Sequence, residues 1–197
     1  IQRKGLSNHV RDIVVEFGTA KYQSTADAYV DGKAVSREQL AHVWRDTGQM
    51  MPWDVPVYSE FFATVRSVNR GLPPTQRIRV HLGDPPVDWP KVKSAADYEK
   101  YAKRDTFYFK LVDRLLAEHR KALLIYGGAH LYKRNIRGPH APPSPVEPLP
   151  DLADRYGEKL VCIWTLVGPS EIWKPSTYPA LTLVAGEPIG NRSAKYL

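Results

Sequence analysis

The chain has 197 residues, of which 43% are hydrophobic and 25% are charged, and its formal net charge is +7. These values are typical of an ordinary globular protein, and they predict a single domain over residues 1–197 with a sizeable core. They do not indicate nucleic-acid binding or a membrane span, because Lys and Arg are dispersed among 21 acidic residues and no apolar run approaches the roughly 18 residues that a span needs.

The start of the chain lacks the features of a complete N-terminus. It begins Ile1-Gln2-Arg3-Lys4-Gly5, without an initiator Met and without the apolar stretch of a signal peptide. We therefore expect that a further N-terminal piece precedes it, and that piece is where a signal peptide would lie. The compartment stays open, with export as one alternative for a chain that is expected to be soluble.

Continuous apolar runs predict strands that are buried on both faces. Helical patterns lie between them: Ser36 and Gln39 form a capping box, Pro56 suits a first helical turn, and Ser94 with Asp97 precedes the longest helical stripe. Strands that alternate with helices predict an α/β fold, with a mainly parallel sheet flanked by helices on both faces. The predicted strands are Ile13 to Phe17, Ile78 to Leu82, Ala122 to Tyr126 and Leu160 to Leu166, with Leu181 to Ala185 as a weaker fifth.

Two features of the C-terminal third have structural interpretations. Six prolines between residues 138 and 150 remove backbone donors, which predicts an irregular loop or lid rather than a domain boundary. The single cysteine, Cys162, lies in an apolar run, which favours a small buried side chain over a nucleophile and excludes an internal disulfide.

Polar residues follow three of the predicted strands at their carboxyl ends, where open parallel sheets bind ligands. The first strand leads to Glu16, the second to Asp84, and the third to His130 through two glycines. Glu16 is a candidate base or metal ligand, although a carboxylate that caps a helix or pairs with an arginine fits the same pattern. His130 is a candidate base or metal ligand as well, with a helix-capping or loop role as its alternative.

The long helical stripe carries a third polar signal, the pair Arg104 and Asp105 among apolar and aromatic neighbours. A guanidinium on such a face needs a partner. One interpretation is an internal salt bridge centred on Arg104 and Asp105. The other is that Arg104 orients Glu16 or binds an anionic group through its two-pronged geometry.

Taken in order, these motifs resemble the superfamily of erythromycin-esterase-like, ChaN-like haem-binding and Tiki/TraB-like proteins. The glutamate strand is similar to Val14-Val15-Glu16-Phe17-Gly18, the arginine helix to Arg104-Asp105-Thr106-Phe107, and the histidine strand to the run from Ala122 to Gly127-Gly128-Ala129-His130. The segment from Arg79 to Pro86 fits the intervening strand, so the resemblance covers roughly residues 10 to 135. It departs at the start, because an earlier Gly-x-x-His motif is missing: Gly5-Leu6-Ser7-Asn8-His9 places the histidine one residue too late.

The resemblance implies a hydrolase for an ester or peptide-like substrate, with Glu16, Arg104 and His130 as catalytic residues. Glu16 and His130 would activate water directly or through a divalent metal. Its alternatives are a haem- or iron-binding protein and a non-catalytic scaffold that retains only the fold. Further candidate ligand-binding residues are Asp84, Asp105, Tyr22, Tyr126 and Arg134.

A cluster of cations follows His130 along the chain. Lys133, Arg134 and Arg137, together with Arg104, predict an electropositive site that attracts anionic ligands such as carboxylates, phosphates or haem propionates. Side chains that point into solvent are the alternative for the three later cations. The sequence leaves the substrate and the oligomeric state open.

Overall fold

A computed structural model of the chain describes residues 10–49, 53–127 and 155–161. The chain divides into two compact units, one of residues 1–130 with 145–147 and one of residues 131–144 with 148–197. In the second unit the described residues include a short 3-10 turn, Gly157–Lys159. The predicted strands at 160–166 and 181–185, the Pro-rich loop and Cys162 lie outside the described residues, apart from Leu160 and Val161, which are not in a strand.

The first unit is built on a parallel sheet, as the sequence predicts. Its described strands lie in the order β2-β1-β3, and β1 pairs in parallel with both neighbours. Between β1 and β2 come helices α1, α2 and α3, and between β2 and β3 come helices α4 and α5. The bounds are β1 Asp12–Thr19, α1 Gln23–Val30, α2 Arg37–Arg45, α3 Pro56–Arg70, β2 Arg79–Asp84, α4 Ala95–Ala102, α5 Arg104–Ala117 and β3 Ala122–Ile125.

The helices cover both faces of the sheet, which confirms the predicted α/β arrangement. Alternate residues of β1 and β2, such as Val15 and Leu82, pack with α1, α2 and α3 in the main hydrophobic core. On the opposite face the ring of Tyr108, from α5, lies against Gly83. Glycine is required at position 83, because a Cβ there would lie 2.9 Å from the carbonyl oxygen of Val15.

Three helices begin where the capping signals in the sequence predict. Ser36 and Gln39 form both hydrogen bonds of a capping box, Pro56 opens α3, and the hydroxyl of Ser94 accepts from the backbone N–H of Asp97. The long helical stripe differs from the prediction, since it is divided at Lys103 into α4 and α5. The break makes Arg104 the first residue of α5.

An ion network around the buried carboxylate of Asp12 joins the strands at their amino ends. The carboxylate of Asp12 binds His81 Nε2 at 2.8 Å and Arg120 Nε at 2.9 Å, and Arg120 also pairs with Glu118 at 3.0 Å. Asp12 lies in β1 and His81 in β2, while Arg120 precedes β3. The network therefore connects all three described strands at the end opposite to Glu16.

We expect Asp12→Asn to lower the free energy of unfolding by about 2–3 kcal/mol, less than for a fully buried pair because Arg120 reaches solvent. Burial alone would raise the pKa of Asp12, but hydrogen bonds and charges from His81 and Arg120 lower it. The stabilisation is thus present above the unfolded pKa of about 3.9 and is lost as the pH falls through the lower folded value. Urea unfolding at several pH values measures this effect.

The matched control is Asp31→Asn, which breaks an exposed pair with Arg77. Its expected cost is within about 1 kcal/mol. Equal losses for the two variants would contradict a special role for the Asp12 network.

None of the helices in the described ranges is long and apolar enough to cross a membrane.

Candidate functional site

Three charged side chains from three elements meet at the carboxyl ends of the strands. Arg104, at the start of α5, pairs through Nε with Asp84 at the end of β2. Its Nη2 lies 3.6 Å from Oε1 of Glu16, which projects from β1. Both carboxylates are buried, with 5% of Glu16 and 0% of Asp84 exposed. The guanidinium therefore lies between two buried carboxylates, which offsets much of the repulsion between them.

A loop after α2 completes the surroundings of the two carboxylates. The side-chain amide of Gln49 donates to Glu16 Oε1 at 3.0 Å, and the backbone N–H of Gly48 donates to Asp84. The hydroxyl of Tyr98 in turn donates to the carbonyl of Gly48. This loop is thus fixed on both sides, by β2 and by α4.

The strand β3 contributes through its backbone. The N–H of Gly127 donates to Glu16 Oε2 at 2.6 Å. The preceding residue, Tyr126, places its ring 3.8 Å from the ring of Tyr108, centroid to centroid. Since Gly83 gives Tyr108 room against the sheet, that glycine helps to set the position of the Gly127 donor.

Electrostatics differ among the groups of the site. Burial raises the pKa of Asp84, while the charge of Arg104 and the Gly48 hydrogen bond oppose that rise. Burial also raises the pKa of Tyr126, which keeps its phenol protonated. For Arg104, burial favours the neutral form, but its carboxylate neighbours, Asp84 foremost, raise its pKa and keep it charged.

The groups around Glu16 and Asp84 do not fit a metal ion. Each oxygen of Glu16 accepts a hydrogen bond, and a guanidinium occupies the position between the carboxylates that a cation would take. The described residues contain no group of three or more His, Cys, Asp or Glu side chains that could hold a metal. The predicted metal ligand His130 lies outside the described residues.

Neither Tyr22 nor Tyr126, the two candidate ligand-binding tyrosines, fits an axial haem ligand, which would have to be a phenolate. Tyr22 donates its hydroxyl to Asp46 at 2.6 Å, and burial together with that carboxylate raises its pKa to about 12. Tyr126 is packed on Tyr108 with a raised pKa. Both arrangements disfavour loss of the phenolic proton.

The structure thus brings together Glu16, Arg104 and Asp84 from the set of residues that the sequence singles out. Asp105 is buried in the first turn of α5, and the pairing of Arg104 is with Asp84 and Glu16. The predicted cations Lys133, Arg134 and Arg137 lie outside the described residues.

Sequence reasoning misses Gln49, Gly48 and Tyr98. Gln49 and Gly48 lie in a short polar loop with no motif, and Tyr98 reads as one member of an aromatic stripe. The backbone donor of Gly127 has no side chain to reveal it. The Gly127-Gly128 pair after an apolar run is the only signal that points to a close approach of the backbone there.

No protein-family model, curated protein or solved structure matches the chain. The class that fold and site define is therefore an α/β protein with a buried Glu–Arg–Asp centre at the carboxyl ends of its parallel strands.

Proposed function

We propose that the chain is a metal-independent hydrolase of a carboxylic ester or peptide-like substrate, with its site at Glu16 and Arg104. One observation carries this proposal. Arg104 Nη2 is buried and has no hydrogen-bond acceptor among the described residues, yet it lies 3.6 Å from the carboxylate of Glu16. In such a pair the carboxylate can activate water and the desolvated guanidinium donor can stabilise an oxyanion.

In the proposed reaction a water molecule attacks the substrate carbonyl. Glu16 takes the proton of that water as general base, while Arg104 donates to the oxygen on which negative charge develops. When the tetrahedral intermediate collapses, the proton passes to the leaving alcohol or amine, and the products are a carboxylic acid and that alcohol or amine. His130, which the family resemblance associates with this site, is the candidate for delivering that proton.

The loop residues and Asp84 have supporting roles in this scheme. Gln49 and the N–H of Gly127 fix the two oxygens of Glu16, and Asp84 fixes the guanidinium through Nε. With Nε held in this way, the Nη2 donor keeps its position 3.6 Å from Glu16 Oε1. Preorganised donors of this kind contribute more in a buried site than in water.

A panel of p-nitrophenyl esters and short peptides, assayed with the full chain in the presence of a chelator, tests the proposal. We expect hydrolysis of at least one ester, and we expect Glu16→Gln to lower kcat by roughly 10²–10⁴-fold, the usual contribution of a positioned general base. The matched control is Glu38→Gln, which changes an exposed glutamate with 75% of its side chain accessible and should leave kcat unchanged.

Three outcomes would contradict the hydrolase. They are a panel without hydrolysis, a folded Glu16→Gln variant with undiminished kcat, and loss of activity on chelation. A haem titration distinguishes the hydrolase from the haem-binding alternative. A Soret band that appears with the unmodified chain and is lost in Tyr126→Phe would favour a haem-binding protein.

A further inference from the structure

A groove of about 750 Å³ lies beside β2, and its lining includes none of Glu16, Asp84 and Arg104. Helix α1 forms one wall and helix α5 the other, and the described sheet ends at β2 on this side. Clefts of 300–1,000 Å³ are typical of small-molecule sites. The apolar side chains that line the groove are Ala20, Val30, Ile78, Leu82, Phe107 and Leu111.

The outer edge of β2 is closed to an added strand by two side-chain amides. Gln23 donates to the carbonyl of Val80 at 2.7 Å and accepts from the N–H of Leu82 at 2.9 Å. Asn69 likewise accepts from the N–H of Ile78 at 2.8 Å and donates to the carbonyl of Ile78 at 2.9 Å. Because these amides occupy backbone groups that a peptide strand would use, an occupant of the groove must be recognised by side chains.

The two walls of the groove differ in charge. On the side of α1, Asp31 is paired with Arg77 at 3.4 Å, and Asp27 accepts a hydrogen bond from Gln23 at 2.9 Å. The other cations of the lining are Arg79 of β2 with Lys110 and Arg114 of α5.

The side chains of these three cations form no ion pair or hydrogen bond within the part of the chain that the structure describes. Lys110 and Arg114 follow Phe107 and Leu111 on one stripe of α5, since residues three and four apart share a helix face. The half-buried Phe107 and Leu111 thus lie directly beside exposed positive charge.

We propose that this groove binds a single-chain organic anion, a medium-chain alkyl carboxylate, independently of the proposed hydrolase. Its alkyl body lies on Phe107 and Leu111, and its head group lies at Lys110 and Arg114, with Arg79 nearby. Burial of the alkyl chain supplies most of the affinity. The cations select for negative charge.

Titration calorimetry with the full chain tests this site, with dodecanoate as the ligand and dodecyltrimethylammonium as its cationic counterpart, both below micelle-forming concentration. We expect dodecanoate to bind at least about tenfold more tightly than the cation, which corresponds to roughly 1.4 kcal/mol. Raising the salt concentration from about 0.02 M to 0.5 M should weaken dodecanoate binding and reduce its preference over the cation, because salt screens both the attraction of the anion and the repulsion of the cation.

The decisive variant is Lys110→Glu with Arg114→Glu, which reverses two exposed charges of the groove. Its control, Lys33→Glu with Arg37→Glu, makes the same net change at exposed positions that do not line the groove. We expect the groove variant to weaken dodecanoate binding by about tenfold or more, and the control by less than about twofold.

Equal affinities of the two variants for dodecanoate would overturn the proposal, and so would equal binding of the anion and the cation by the unmodified chain. Binding of an acidic peptide in preference to dodecanoate would overturn it as well. Glu16 does not line the groove. The Glu16→Gln variant should therefore bind dodecanoate with unchanged affinity, whether or not the chain is a hydrolase.

Discussion

Replacement of Arg104 by methionine is expected to lower the free energy of unfolding by about 3–5 kcal/mol at pH 7, the range for removal of one partner from a buried ion pair. Methionine keeps much of the apolar stem of arginine, so packing contributes little to this loss. The cost comes from Glu16 and Asp84, two buried carboxylates that would face each other without the guanidinium between them.

The loss should depend on pH in a defined direction. Burial raises the pKa of Asp84, and the charge of Arg104 opposes that rise, so the variant raises this pKa further. The folded state then holds the proton more tightly than the unfolded chain, whose aspartate pKa is about 3.9. Stability therefore falls as the pH rises from that value through the raised folded pKa, and the effect of the variant is smallest near pH 4 and largest at neutral pH.

Two further variants separate charge from packing in this prediction. Arg104→Lys keeps the positive charge but cannot reach two carboxylates with one planar group, so its loss should fall between those of the unmodified chain and Arg104→Met. The double variant Arg104→Met with Asp84→Asn should be more stable than Arg104→Met alone, because it removes one of the facing charges. Urea unfolding at pH 4 and pH 7 measures all of these values. A pH-independent loss would contradict the electrostatic explanation.

Asn69→Leu is expected to lower the free energy of unfolding by about 3–5 kcal/mol, because three backbone groups lose their partner and each costs roughly 1–3 kcal/mol when buried without one. The amide of Asn69 donates to Val30 at 3.2 Å and to Ile78 at 2.9 Å, and it accepts from the N–H of Ile78 at 2.8 Å. Asn69 is 1% exposed, so water does not replace these bonds.

Leucine has the same branching at Cγ and a larger volume, so the substitution leaves no cavity, and overpacking adds to the loss of the hydrogen bonds. The control is Ser67→Leu on the same helix, at an exposed position where the expected change is within about 0.5 kcal/mol. Asn69→Asp keeps one acceptor and loses both donors, so it should be destabilised as well, and less so at acid pH where the carboxyl becomes neutral. If Asn69→Leu were as stable as the unmodified chain, the backbone groups of Val30 and Ile78 would not depend on Asn69 for their hydrogen bonds, and the prediction would be wrong.

Much of the architecture follows from the sequence alone, because strands buried on both faces and helix caps are local patterns. The apolar runs locate β1, β2 and β3 to within about two residues, and Ser36, Pro56 and Ser94 mark where helices begin. The carboxyl-edge rule for parallel sheets also selects Glu16 and Asp84, since position after a strand is all that it needs.

Local patterns do not predict correctly which residues of helix α3 are buried. Its apolar stripe consists of Val57, Phe61, Val65 and Val68, which predicts that Val57 lies on the buried face. Val57 is nevertheless 55% exposed, and the buried residues of the helix are Phe62, Val65 and Asn69. No helical periodicity favours burial of an asparagine. Burial of this amide is favourable because it satisfies the carbonyl of Val30, 39 residues away, and both backbone groups of Ile78, just before β2.

The candidate site also has a part that the sequence predicts and a part that only the tertiary structure decides. The residue types Glu16, Asp84 and Arg104 are visible in the sequence, but the choice of Asp84 rather than Asp105 as the partner of Arg104 depends on the break at Lys103, which starts α5 afresh. The contribution of Gln49 depends on how a loop crosses the sheet edge. Contacts between residues far apart in the chain carry no local periodicity, so the tertiary structure alone decides which side chains meet around Glu16.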